Sequence, residues 1–209
     1  MNGSPLEFLE IIGNRLSEET PLAMEQVFAA FANVRREALW RRMLWPGRVQ
    51  YASFEIVSVN SQIHFFVVTP SHLRPFIESQ LTAQYPRVVI SPGEDYLPHL
   101  LVHPYEIARL RMGSSFYYPL KTYQDVKDVD LLSAVLGQLA KLPADQAVAI
   151  QFRVTPAGRG WQAQAARIVS QGVSDSNSST GRTRTHPDSR IIAVKLGASG
   201  LRTGIRIVA

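Results

Sequence analysis

The chain has 209 residues, 22 Lys and Arg against 17 Asp and Glu, and no cysteine. Apolar residues at 45% and charged residues at 19% exclude a disordered chain. The missing cysteines exclude disulfides, thiolate metal sites, a cysteine nucleophile and iron–sulfur clusters.

No apolar run approaches the roughly 20 residues of a membrane-spanning helix, and no signal peptide is visible at the start. The expectation is a reducing, cytosol-like compartment. Charge is uneven. From Gln171 onward Arg182, Arg184, Arg190, Lys195, Arg202 and Arg206 face only Asp175 and Asp188. That tail therefore holds +4 of the net +5, and the body is close to neutral.

Leu6 to Ile12 reads as a first strand. Thr20-Pro21 is a helix start, with Met24, Val27, Phe28 and Phe31 as one apolar stripe. Tyr51 to Val59 and Ile63 to Thr69 are β-rich runs joined as a hairpin at Asn60-Ser61. Pro70-Ser71 opens another helix, buried along Leu73, Phe76, Ile77 and Leu81, with Pro75 in its first turn. Tyr85-Pro86 stops it, and Arg87 to Ser91 is a short strand. The order β-α-β-β-α-β over residues 1–95 is that of a ferredoxin-like, or split βαβ, subdomain.

Leu97 to Pro104 is a proline-bounded connector, and Ile107 to Tyr123 reads as one long or broken strand. Asp128 or Asp130 caps a helix whose stripe is Leu131, Leu132, Val135, Leu136 and Leu139. Ala147 to Thr155 is a strand with Val148, Ile150, Phe152 and Val154 on one face. Gln151 and Arg153 lie on the other, which is expected to be wet. Gly158-Arg159-Gly160 turns into a helix, residues 171–189 read as a flexible linker, and a short helix and a last strand follow. The expected fold is α+β: two ferredoxin-like subdomains, 1–95 and 105–209, each an antiparallel sheet with helices on one face. Both faces of the first hairpin are apolar, so the second face is expected to pack on the other half or on another subunit.

No nucleotide P-loop, nucleophile elbow or paired carboxylates facing a histidine occur, so no catalytic residue and no cofactor are assigned. His99 and His103 have the i, i+4 spacing of a metal pair, but Pro98 and Pro104 bracket them. The competing reading is a connector with surface histidines. His64 is expected at an edge or in the core, and His72 in solvent. The segment from Arg35 to Arg48 sets Arg35, Arg36, Arg41, Arg42 and Arg48 among Trp40 and Trp45. It reads as a helix extension with solvated arginines, as a membrane or protein contact, or as a nucleic-acid contact. With Phe65 and Phe66 it makes up the candidate interaction surface. Phe65 and Phe66 are adjacent and point to opposite faces, unlike the paired aromatics of an RNA-recognition module.

Several stretches resemble one bacterial family: PLAMEQVFAAF (Pro21–Phe31), SFEIVSVNSQIHFFVVTPSHLRPFIESQLTAQYP (Ser53–Pro86), YPLKTY (Tyr118–Tyr123), DLLSAVLGQLAKL, AVAIQFRVTP, GWQAQA and KLGASGLRTGIRIVA (Lys195–Ala209). The family comprises membrane-associated ATPases of conjugative DNA transfer, or type IV secretion, of the FtsK/HerA-like kind. The match is to their uncharacterised N-terminal region. The resemblance implies a non-catalytic accessory module near the inner face of the membrane. It would act by packing on itself or on the parent ATPase domain, with any catalysis residing in a motor that this sequence does not contain. A stand-alone protein-binding adaptor is the alternative. A nucleic-acid module using residues 35–48 and the basic tail is the third reading.

Overall fold

The computed structural model describes residues 4–13, 20–34, 50–101, 104–126, 130–158, 160–171 and 188–209. Seven strands form one antiparallel sheet: β1 (Leu6–Ile12), β2 (Ala52–Val59), β3 (Gln62–Pro70), β4 (Val89–Pro92), β5 (Ile107–Leu110), β6 (Val148–Pro156) and β7 (Leu201–Val208). Their spatial order is β4-β1-β3-β2-β6-β7-β5. The described helices are α1 (Pro21–Ala32), α2 (Arg74–Gln84), the short α3 (Leu97–Leu100), α4 (Leu131–Leu139), α5 (Gly160–Gln171) and α6 (Ser189–Leu196). The fold is α+β.

The two halves share one sheet instead of forming the two expected. β2 pairs with β6 from Ala52↔Val154 to Ser58↔Val148, and this ladder fuses them. The physical reason lies in β2. Its outer edge would otherwise present unpaired amides and carbonyls beside an apolar strand, which is an aggregation hazard.

The β2–β3 hairpin turns at Asn60 and Ser61, both at positive φ (51° and 60°), with Val59 opposite Gln62. Two positive φ values in a two-residue loop match the strand twist of a type I′ turn. Thr20 precedes α1 in extended geometry, and Pro21 occupies the first turn.

One sheet face carries Leu9, Ala52, Val67 and Val154 under Val27 and Phe31 of α1, Leu73, and Ile77 and Leu81 of α2. The other carries Val57, Phe66, Val68 and Ala149. Among the described residues its cover comes from the connector between the two expected subdomains. The residues just after β4, Tyr96, Leu97 and Leu100, fold back over it. Burying a side chain such as Leu100 stabilises by about 1.5–3 kcal/mol relative to leaving it in water. The proline-bounded connector is therefore part of the core.

Three further expectations change. The strand after residue 106 ends at Leu110. The Lys195 ammonium donates to the carbonyls of Phe116 and Tyr118 at 2.5 and 2.7 Å, so that stretch is held against α6 and not in a ladder. The expected wet face of β6 is dry over its first half, with Ala149 fully buried and Gln151 4% exposed, whereas Arg153 is exposed and Thr155 half-buried. Asp130 does cap α4, accepting from Leu132 N at 3.1 Å and Ser133 N at 3.0 Å. Yet of the α4 stripe Leu139 is buried, while Leu132 and Val135 are 53% and 37% exposed. Asp128 and most of the expected linker, residues 172–187, lie outside the described residues.

Candidate functional site

Antiparallel register puts directly opposed residues on the same face. One row crosses the whole sheet on the face under α3: Ser91, Glu10, Phe66, Glu55, Gln151, Arg206 and Arg109. Strand alternation explains it, because SFEIV places Glu55 between Ser53 and Val57 on that face. A carboxylate buried in such a row requires partners.

Tyr96, at the start of α3, supplies the first. Its hydroxyl donates to Oε2 of Glu55. Gln151 Nε2 donates to the Tyr96 oxygen at 2.6 Å, and Arg206 Nε donates to Oε1 of Gln151. Burial pushes the Glu55 carboxyl above its usual range, while hydrogen bonds from Ser53, Tyr96 and Gln151 and the charge of Arg206 oppose the rise. Burial, then the neighbouring Glu55, also pushes the Tyr96 phenol far above the ordinary tyrosine range. Glu55, Tyr96 and Gln151 are each 6% exposed or less. The chain of bonds locks α3 to the central strands and offers no reacting atom to solvent.

The row continues on the other side of Tyr96. Phe66 stacks on the Tyr96 ring with centroids 5.5 Å apart, and His64 stacks on Phe66 at 5.9 Å. His64 Nδ1 lies 2.7 Å from Glu10 Oε1, so this histidine is a half-buried pairing residue. Gly93 closes the stack, since a Cβ there would meet Phe66 Cε1 at 2.6 Å. Of the two phenylalanines of the candidate interaction surface, Phe66 is 7% exposed and belongs to the core, whereas Phe65 is 42% exposed.

Arg35, Arg36, Trp40, Arg41, Arg42, Trp45, Arg48 and His103 lie outside the described residues. His99 is exposed and lines a cavity of about 320 Å³ with Leu100, Pro104, Asp145 and Ala209. Among the described residues no three His, Asp or Glu side chains converge as metal ligands. His72 is half-buried in the turn before α2, not solvated as expected. A larger cavity of about 560 Å³ lies between Ala32 and Asn33 at the end of α1 and Gln162 and Ser199. Its polar groups serve the fold: Gln162 donates to the carbonyls of Leu196 and Ala198, and Ser199 donates to Asn33 Oδ1 at 3.2 Å.

The sequence reading missed the Glu55–Tyr96–Gln151–Arg206 chain. Its one visible signal was a charged glutamate inside a strand whose other residues are apolar or serine. A family model, the domain of unknown function DUF8128, matches residues 14–209. The chain belongs to the DUF8128 family. Neither a curated protein nor a solved structure matches it. The DUF8128 match takes in both halves of the sheet and leaves β1 outside, although β1 pairs with β3 and β4 one strand in from the edge. No helix among the described residues is long and apolar enough to cross a membrane.

Proposed function

We propose that this DUF8128 chain is a non-catalytic accessory module of a membrane-associated DNA-transfer or secretion ATPase, assembling through protein–protein packing. The observation that carries the packing reading is α4. Its sequence LLSAVLGQL is apolar enough for a core helix, yet Leu132 and Val135 stand in solvent one helical turn apart. An apolar helix stripe exposed on a folded domain marks an interaction site. The occupant we assign is a second copy of the chain.

The link to a transfer ATPase rests on the sequence resemblance across Pro21–Phe31, Ser53–Pro86 and Asp130–Leu142. The finer fold reading is that residues 1–95 form a ferredoxin-like subdomain. The order β-α-β-β-α-β, with β4-β1-β3-β2 antiparallel neighbours, supports it. In this reading β5–β7 extend the sheet of that subdomain at its β2 edge. The place of action we assign is the inner face of the membrane.

The natural absence of cysteine makes the packing test clean. Val135→Cys sits on the exposed stripe, and Ser133→Cys sits off it on the same helix. Under mild oxidation the Val135→Cys chain is expected to give a disulfide-linked dimer on a non-reducing gel, and the Ser133→Cys chain far less. Equal yields, or none from either, would remove α4 as the contact.

A further inference from the structure

Four exposed arginines share one face of the β6-β7-β5 end of the sheet. Arg206 is opposite Arg109, Arg153 is opposite Gly204, and Arg202 is opposite Thr155. Residues two apart on a strand also share a face, so all four stand on the side of Gln151 and away from α1 and α2. Arg202 and Arg206 are separated by four residues of β7, about 13 Å, with Gly204 midway and Arg153 beside it.

Two of the guanidinium groups are held in place without a direct ion pair. Arg206 Nε donates to Gln151, and the Arg153 guanidinium lies 4.1 Å over the Tyr51 ring. The ion pairs among the described residues join Arg74 to Glu7 and Glu78, and His64 to Glu10, and none involves these four. Like charges directly opposite one another destabilise a sheet. Keeping Arg109 against Arg206 therefore leaves a field that a bound anion would offset. The patch also has an open floor: a side chain added at Gly204 would meet nothing within 4 Å. Glycine inside a strand marks a place where a ligand can approach the backbone.

We propose that this arginine face binds single-stranded nucleic acid, with guanidiniums on phosphates and a base laid against the Arg153–Tyr51 stack. The chemistry selects the ligand. β5, β6 and β7 contain no lysine. Arginine is the side chain that both forks onto phosphate and stacks on a base. A three-stranded sheet face is broader than the helix or two-stranded ribbon that the major groove of a duplex admits, whereas single strands lie across open sheets. The centre of the patch is Gly204, opposite Arg153 and diagonal to Thr155, rather than the apolar wedge a lipid surface would draw in. This site is independent of the α4 contact.

The test is fluorescence anisotropy of the full chain with a labelled oligothymidine strand over a salt series. Binding is expected at low salt, falling as salt rises, and weaker for a duplex of equal length. Arg109→Gln with Arg202→Gln should lower affinity roughly tenfold and reduce the salt slope by about 1.4, that is, two phosphate contacts. Gly204→Val keeps every charge and favours the strand, so it should block binding while circular dichroism and the melting temperature hold. Oligonucleotide binding unchanged in both variants would place the contact elsewhere and overturn the proposal. So would the absence of binding at low salt. Capture by phosphatidylserine vesicles, lost in the arginine variant, without oligonucleotide binding would reassign the face to lipid and overturn it equally.

Discussion

The Tyr96 hydroxyl donates a hydrogen bond to Glu55 Oε2 and in doing so ties the segment after β4 to the strand at the centre of the sheet. Gln151 on β6 donates to the same phenolic oxygen. One tyrosine therefore joins the two halves of the chain at the ladder where they meet. The segment that covers the second face is held by this polar bond as well as by Leu97 and Leu100.

Glu55 gives stability a pH dependence of defined sign. Burial raises its folded pKa above the unfolded value, so its contribution is greatest when it is protonated. That contribution is present below the unfolded pKa and is lost as pH rises through the folded pKa. Glu55→Gln removes the ionisation and keeps an acceptor for Tyr96. Its stability advantage over the natural chain is expected to widen from pH 5 to pH 8 in urea denaturation. Glu55→Ala leaves the buried hydroxyl without an acceptor and should cost about 1–3 kcal/mol at pH 5, and less at pH 8, where the natural chain has itself lost part of the Glu55 contribution.

Gly93 has no room for a side chain. Gly93→Ala would push Cβ against the Phe66 ring, itself pinned between His64 and Tyr96. Overpacking of this kind costs about 1–3 kcal/mol. Phe66→Leu in the same chain should recover part of the loss, so the double variant should be more stable than the sum of the single changes predicts. Equilibrium urea curves for the four chains check both statements.

The hairpin turn is built from less than ideal residues. Ser61 sits at φ 60°, a region that disfavours side chains, and its hydroxyl returns only a 3.4 Å contact to the Leu142 carbonyl. Ser61→Gly creates the Asn-Gly pair that type I′ turns prefer and should raise stability by up to about 1 kcal/mol. A fall in the melting temperature would show that the Leu142 contact outweighs the backbone relief.

Local chemistry made much of the first half legible. Thr20-Pro21, Asn60-Ser61, the stripe Leu73–Leu81 and the stop at Tyr85-Pro86 each act within a few residues, and the structure places an element boundary at each. The joining of the halves was not legible, because pairing Ala52 with Val154 is a choice made across about a hundred residues that no local pattern records. For the same reason Gln151 and Arg153 read as a wet face, although Tyr96 arrives from another segment to cover Gln151. The α4 stripe was correctly apolar, yet periodicity alone does not say whether a partner within the chain covers it. The arginine face was hidden too. Arg109, Arg153, Arg202 and Arg206 are scattered in sequence and converge only through register.

Sedimentation velocity of the full chain over a hundredfold concentration range, at low and high salt, tests the assembly claim most directly. Concentration-dependent self-association that persists at high salt is expected, because apolar contacts are not screened. Leu132→Asp with Val135→Asp is expected to yield a folded monomer, since both positions face solvent in the single chain. A monomer at every concentration, or an association that salt abolishes and the α4 variant retains, would contradict that claim.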